Sequence, residues 1–214
     1  MQDPQSERES QRRSWERFYS ENERPWRGIG RVDGLDAGPG CRALDVGCGN
    51  GKTVAALLRT GAEVTGLDFS AAAVDLCRKR WSGAGFVVGD CTRMPFGDGA
   101  FDIVTLVHVL EHLDGEQLRQ TAAETVRVLA DGGRVLVRSF AVGDMRAAGT
   151  ESNVRGNGIR YRYLTREAVE DLFAGLEVTR SETVEETMRF GGVRVRAECI
   201  FRKGAGGPAK NLNI

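Results

Sequence analysis

Leu44-Asp45-Val46-Gly47-Cys48-Gly49-Asn50-Gly51 decides how this chain folds. The apolar run Ala43 to Val46 reads as a short buried strand, and Lys52 to Leu58 reads as the helix that follows. Between them stands Gly-x-Gly-x-Gly. Glycines at such a junction let the backbone turn tightly and approach a ligand closely, because no Cβ intervenes. The amides of the next helix start add donors and partial positive charge. Asp45 sets the loop apart from a phosphate cradle. A carboxylate there repels pyrophosphate and suits a cationic ligand.

A glycine loop alone is a weak signal, but two more apolar runs end in acids. Glu63 to Asp68 reads as a second strand and Phe86 to Asp90 as a third. A single such Asp is as well explained as a helix cap or turn former. Three in succession, within alternating strands and helices, favour a ligand. An acid at the second strand end is suited to a ribose.

With these residues the stretch from about Cys41 to Phe140 resembles the class I, Rossmann-like, S-adenosylmethionine-dependent methyltransferases. The resemblance implies S-adenosylmethionine as cofactor and assigns residues to it. LDVGCGNG corresponds to the first motif, so Gly47, Cys48, Gly49 and Gly51 pack under the methionine part, with Asp45 near the sulfonium and amino end. Asp68 takes the ribose hydroxyls and Phe69 lies beside the adenine. Asp90 accepts the adenine amino group, and Cys91 offers a backbone contact. Phe101 to Val107 resembles the fourth strand, and Val107, His108 and Val109 line the methyl end. Arg134 to Phe140 resembles the fifth. The implied fold is α/β: a doubly wound, seven-stranded mixed sheet with helices on both faces.

Composition agrees with one α/β domain. The 214 residues suffice for a sizeable core, hydrophobic residues make up 41% and charged residues 28%. A formal net charge of zero gives no global basic footprint for nucleic acid. No long apolar run suggests a membrane span. The polar start lacks a signal-peptide pattern, and the five cysteines form no Cys-x-x-Cys pair. These features point to the cytoplasm.

The expected organisation is an N-terminal aromatic segment over residues 1–30, one domain over 31–203, and a disordered tail over 204–214. Residues 1–13 read as frayed, and Ser14 to Asn22 as a helix carrying Trp15, Phe18 and Tyr19, broken at Pro25-Trp26. This segment is either a docked helix or a lid over the acceptor. The cofactor half spans about 41–140, and Ala141 to Gly158 reads as a long loop within an acceptor-side insert over 141–163. Ser70, Asp114 and Thr165 are expected helix caps. Leu176 to Thr187 and Val193 to Arg202 alternate like an antiparallel pair completing the sheet.

Methyl transfer from a sulfonium requires alignment of a nucleophile, and a base only if the nucleophile arrives protonated. His108 and Glu111, just past the fourth strand, are the candidate catalytic pair. His112 also suits a structural role. His108-Val109-Leu110-Glu111-His112 matches an inverted metalloprotease pattern, yet it follows a strand and nothing singles out a third ligand, so no metal is expected. On the acceptor side, Arg160, Tyr161, Arg162 and Tyr163 alternate, with the arginines on one face, and join Trp15, Phe18, Tyr19 and Trp26 as candidate acceptor residues. The expected acceptor is small or medium-sized. A tRNA or protein acceptor stays open, as does a non-enzymatic cofactor-binding subunit.

Overall fold

The computed structural model describes residues 4–205 apart from 24 and 148. Of the expected tail over 204–214, residues 206–214 lie outside the described residues.

The central runs Arg42–Val46 and Phe101–Val107 are buried almost throughout because both of their faces are covered. A seven-stranded sheet has the order β3 (Ala84–Val88), β2 (Glu63–Asp68), β1 (Arg42–Val46), β4 (Phe101–Val107), β5 (Leu129–Phe140), β9 (Val193–Arg202), β8 (Glu177–Thr187). Strands β1 to β5 are mutually parallel, and β9 runs antiparallel to both β5 and β8. In β1, Leu44 and Val46 face one apolar cluster with Leu106, Val135 and Phe201. Ala43 faces the other, with Leu57, Val74 and Leu136.

The helices start and stop where local chemistry dictates. Helix α2 (Lys52–Thr60) follows Gly51 at φ 81° and ends at Gly61, whose left-handed backbone lets its amide donate to Leu58. Ser70 caps α3 (Ala71–Arg80) by accepting from Ala73 N–H at 3.1 Å. Asp114 and Gln117 form a capping box on α4 (Gly115–Val128). Thr165 caps α5 (Arg166–Leu172).

Three expectations need correction. The N-terminal helix α1 runs Pro4–Glu21, so residues 4–13 are helical rather than frayed. They are held by side chains that reach the body: Arg8 and Arg12 pair with Asp90, and Gln11 bonds the backbone of Gly158 and Arg160. Periodicity of apolar residues cannot reveal a helix fixed by polar contacts. Second, part of the segment read as a long loop pairs: β6 (Ser152–Val154) forms a hairpin with β7 (Arg160–Arg162). Its outward residues hide the alternation. Third, the third strand ends at Val88, and Asp90 sits beyond it in a turn bridged to Arg93.

The sheet order reverses between β1 and β4. Ligands of doubly wound sheets bind at such a switch point, beyond the carboxyl ends of the strands. The glycine loop leaves β1 there and His108 leaves β4 there. A third apolar cluster, with Phe140, Ile159, Tyr161 and Tyr163 packed by Trp15 and Phe18, closes over this end.

Candidate active site

The glycine loop is bare where a ligand can approach. Gly47 and Gly49 have φ of 65° and 52°. A Cβ on Gly47 would stand 2.6 Å from Val109 Cγ2, and one on Gly49 2.6 Å from the Tyr19 hydroxyl oxygen. Asp68 ties this loop to β2. Its Oδ2 accepts from Gly49 N–H and its Oδ1 from Ser70 N–H, both at 2.9 Å. Burial raises the Asp68 carboxyl to about 6, against the lowering effect of those two amides.

A small cavity of about 80 Å³ lies beside the loop, floored by Gly47, Asp68 and Phe69, with Cys91 and His108 at its sides and Trp15 and Tyr19 above. A second cavity of about 360 Å³ adjoins it, sharing Trp15, Phe69 and Cys91 and adding Asp90, Arg160 and Arg162. The Asp90 carboxylate is engaged by Arg8 at 2.8 Å and Arg12 at 2.9 Å. Burial would raise its pKa, but hydrogen bonds from Thr92 and the Arg8 charge hold it below the ordinary range.

His108 is the one histidine of the crevice with a carboxylate partner. Its Nδ1 lies 2.7 Å from Oε1 of Glu111. Glu111 is fully buried in the single turn of 3₁₀ helix Leu110–His112, and its Oε2 accepts from Ser139 Oγ at 3.1 Å. Burial pushes the Glu111 carboxyl up, but the His108 charge and hydrogen bond outweigh it and hold the group below its ordinary value. The acceptor role of Glu111 fixes the proton on Nδ1 and leaves Nε2 free. The His108 backbone has φ of 60°, a left-handed conformation uncommon for a non-glycine residue and found most often at functional sites. Its ring lies 4.2 Å from that of Phe140.

His112 also lines the three cavities, but its partners differ. Its Nδ1 meets the Arg160 carbonyl at 2.9 Å, and its ring sits edge-on to Trp15 and Tyr161. Burial lowers its pKa, which suits a neutral packing histidine. Among the described residues no three His, Cys, Asp or Glu side chains gather as metal ligands.

The remaining expected residues divide. Val107, Cys48 and Trp26 line a third cavity of about 360 Å³ with Gly47, Gly49, His108 and Tyr161. Asp45 does not reach any of the three cavities. It is buried under the loop, accepts from Thr105 Oγ1 at 2.7 Å, and is raised by burial to about 7. Gly51 serves the helix start, where a Cβ would meet the Trp81 ring nitrogen at 2.4 Å. Phe18 buttresses Trp15, Tyr19 and Trp26 from behind. Tyr163 is buried and bonds Asn153. Arg160 and Arg162 share a face as expected, but that face lines the second cavity, beside Phe69 and Asp90, where Arg160 pairs with Glu7.

Most cations of the third cavity left no mark in the sequence; Arg194 and Arg196 did. Arg138, Arg146 and Arg155 line it together with Lys52, Arg194 and Arg196, and Arg31 stands at its edge. A signal existed: Arg194, Arg196 and Glu198 alternate along one face of the last strand.

The methyltransferase-domain family model matches residues 44–137. Demethylmenaquinone methyltransferase of Beutenbergia cavernae is 38% identical over 119 residues, covering 56% of this chain and 48% of that protein. The tRNA N(3)-cytidine methyltransferase of Danio rerio is 32% identical over 189 residues, covering 76% of this chain and 54% of that one. The chain thus spans about half the length of these relatives. In fold it is similar to the Burkholderia thailandensis 1,6-didemethyltoxoflavin-N1-methyltransferase, with a TM-score of 0.71, 18% identity, and coverage of 95% of this chain and 92% of that one. Residues 44–137 thus match the methyltransferase-domain family, and the sheet as a whole has the fold of solved S-adenosylmethionine-dependent methyltransferases.

Proposed function

We propose that this protein methylates a small acceptor held in the third cavity, with His108 as the base that takes the acceptor's proton. One observation carries the reading. His108, oriented by Glu111 at 2.7 Å, lines both the cavity of the glycine loop and the cavity beside it. A group at that junction faces cofactor and acceptor together.

The residues fit S-adenosylmethionine. Gly47 and Gly49 line the crevice with left-handed backbone, and with no Cβ they pack directly against Val109 and Tyr19. Asp68 lines the cavity with two backbone donors already fixing its orientation, and Phe69 offers a ring face beside it. Asp68 is assigned to the ribose hydroxyls, Phe69 and Cys91 to the adenine, and Asp90 to the adenine amino group. When bound, the cofactor supplies an electrophilic methyl group on a cationic sulfur.

The chain's own residues then do three things. The pair His108 and Glu111 moves a proton: Nε2 accepts it, while Glu111 stabilises the resulting charge on the ring, the role a buried carboxylate plays beside a histidine base. Phe140 and Tyr161 hold the His108 side of the cavity in place. Helix α1 excludes water, with Trp15 and Tyr19 as the roof. The roofed cavity of about 80 Å³ is small beside the roughly 300–1,000 Å³ typical of ligand sites, so α1 is assigned as a lid that lifts and recloses.

The test is transfer of labelled methyl groups to a panel of small phenols, amines and carboxylic acids, compared with tRNA and protein acceptors. Transfer to a small acceptor that collapses in His108→Gln supports the reading. Turnover unchanged in that variant removes His108 as base.

A further inference from the structure

We propose that the third cavity is an anion site, and that the acceptor it takes carries a carboxylate or phosphate bound by Lys52, Arg155 and Arg194. The proposal rests on the reading that this cavity holds the acceptor, and it adds the acceptor's charge.

The cations of this cavity come from five separate parts of the chain: the stretch before β1, the start of α2, the end of β5, the turn and hairpin after it, and β9. Most of their neighbours are already matched. Arg138 pairs with Glu198, its Nη2 donating at 3.0 Å and its Nε close by at 2.8 Å without a hydrogen bond. Arg146 makes a two-pronged pair with buried Asp144, at 2.8 and 3.1 Å. Arg196 pairs with Glu186 at 3.1 Å. Glu198, the one carboxylate among the lining residues, is further shared with Arg180 at 3.3 Å.

Lys52, Arg155 and Arg194 have no carboxylate within 4.0 Å among the described residues. Arg155 is stacked on Tyr161, with its guanidinium carbon 3.4 Å from the ring centre. Its Nη2 is buried without a hydrogen-bond partner. A buried guanidinium donor left unmatched is costly, and the cost is removed when an oxyanion fills the space. Burial and neighbouring cations also pull Lys52 and Arg194 below their ordinary pKa values, Lys52 through Arg194 and Arg138, and Arg194 through Arg146. Like charges gathered in a half-enclosed space repel one another, and a bound anion relieves all of them together. The aromatic rings of Phe140, Tyr161 and Trp26 around them add flat apolar area. The fitting ligand is therefore a small, flat molecule with one anionic end. Arg160 and Arg162 contribute nothing here, since they line the second cavity.

Binding of phenyl phosphate and of benzoate, against neutral phenol and benzyl alcohol, tests this by calorimetry on the full chain. No turnover is read, so a failure of methyl transfer leaves the result intact. The expected result is binding of at least one anion at least tenfold tighter than its neutral counterpart. It should weaken at least tenfold in Arg155→Met and in Arg194→Met, and change less than twofold in Arg59→Met, an exposed arginine of α2 outside the cavity. Lys52→Met, at a helix start, provides a further variant if either arginine variant melts early. Equal binding of neutral and anionic probes overturns the proposal, as does anion binding unchanged in all three cation variants. Stronger binding of an RNA hairpin than of either small anion, lost in the same variants, replaces the small acceptor with nucleic acid.

Discussion

His108 Nδ1 stands 2.7 Å from Glu111 Oε1, and that carboxylate is fully buried. A carboxylate shielded from water and committed to a histidine sets the ring's tautomer and supports its charge. Replacing His108 with Gln keeps a polar side chain but removes the proton acceptor. Turnover should fall about 10²–10⁴-fold, the usual share of general acid–base catalysis. Cofactor affinity should stay within about twofold, a difference below ~0.5 kcal/mol. Single-turnover kinetics with calorimetry separates the two. An equal loss in both would make His108 a cofactor-binding residue.

The glycine loop should tolerate no side chain. At Gly49, alanine must adopt φ of 52° and place its Cβ 2.6 Å from the Tyr19 oxygen. The left-handed backbone alone costs about 1–2 kcal/mol, and the contact pushes against the lid. Gly49→Ala should therefore lower stability and weaken cofactor binding. Gly38→Ala meets open space and has ordinary φ, so it is the control. Urea unfolding and calorimetry on both variants give the comparison.

The legible part of this chain was what backbone chemistry writes into short stretches. Gly47, Gly49 and the acidic strand ends fixed the sheet and the loop, and Ser70, Asp114 and Thr165 capped the helices they were expected to cap. Long-range polar contacts were illegible. Arg8 and Arg12 lie 82 and 78 positions from Asp90, so nothing local marks residues 4–13 as an ordered helix. The cations of the third cavity, Lys52 and the arginines of β5, the hairpin region and β9, are gathered only by folding. Asp45 shows the converse error. A motif position suggests a ligand contact, yet its carboxylate is spent on Thr105 beneath the loop.

The lid gives a second kinetic prediction. Truncating residues 1–27 removes Trp15 and Tyr19 from the roof and Arg8 and Arg12 from Asp90. The sheet keeps its own two apolar clusters, apart from α1. Turnover should fall strongly while far-ultraviolet circular dichroism shows the core still folded. Full activity in a folded truncated protein would make α1 a docking element rather than a lid.

Asp45 sets a pH dependence of stability. Burial raises its pKa from 3.8 to about 7 in the folded protein. The folded state then binds more protons than the unfolded state between those values, so this group's contribution falls as pH rises from about 4 to about 7. Asp45→Asn removes that dependence. Its stability relative to the natural chain should rise across this window by at most about 4 kcal/mol. Urea titrations at several pH values measure the difference. A constant difference across the window would show that Asp45 is ionised throughout.

The most direct test of the account is calorimetric titration of S-adenosylhomocysteine into the natural chain and into Asp68→Ala. Asp68 is the carboxylate that links the glycine loop to the proposed ribose position. One ligand should bind per chain, and the substitution should cost about 1–3 kcal/mol, or roughly 5- to 150-fold in affinity. No binding to the natural chain, or equal binding to the variant, would contradict it.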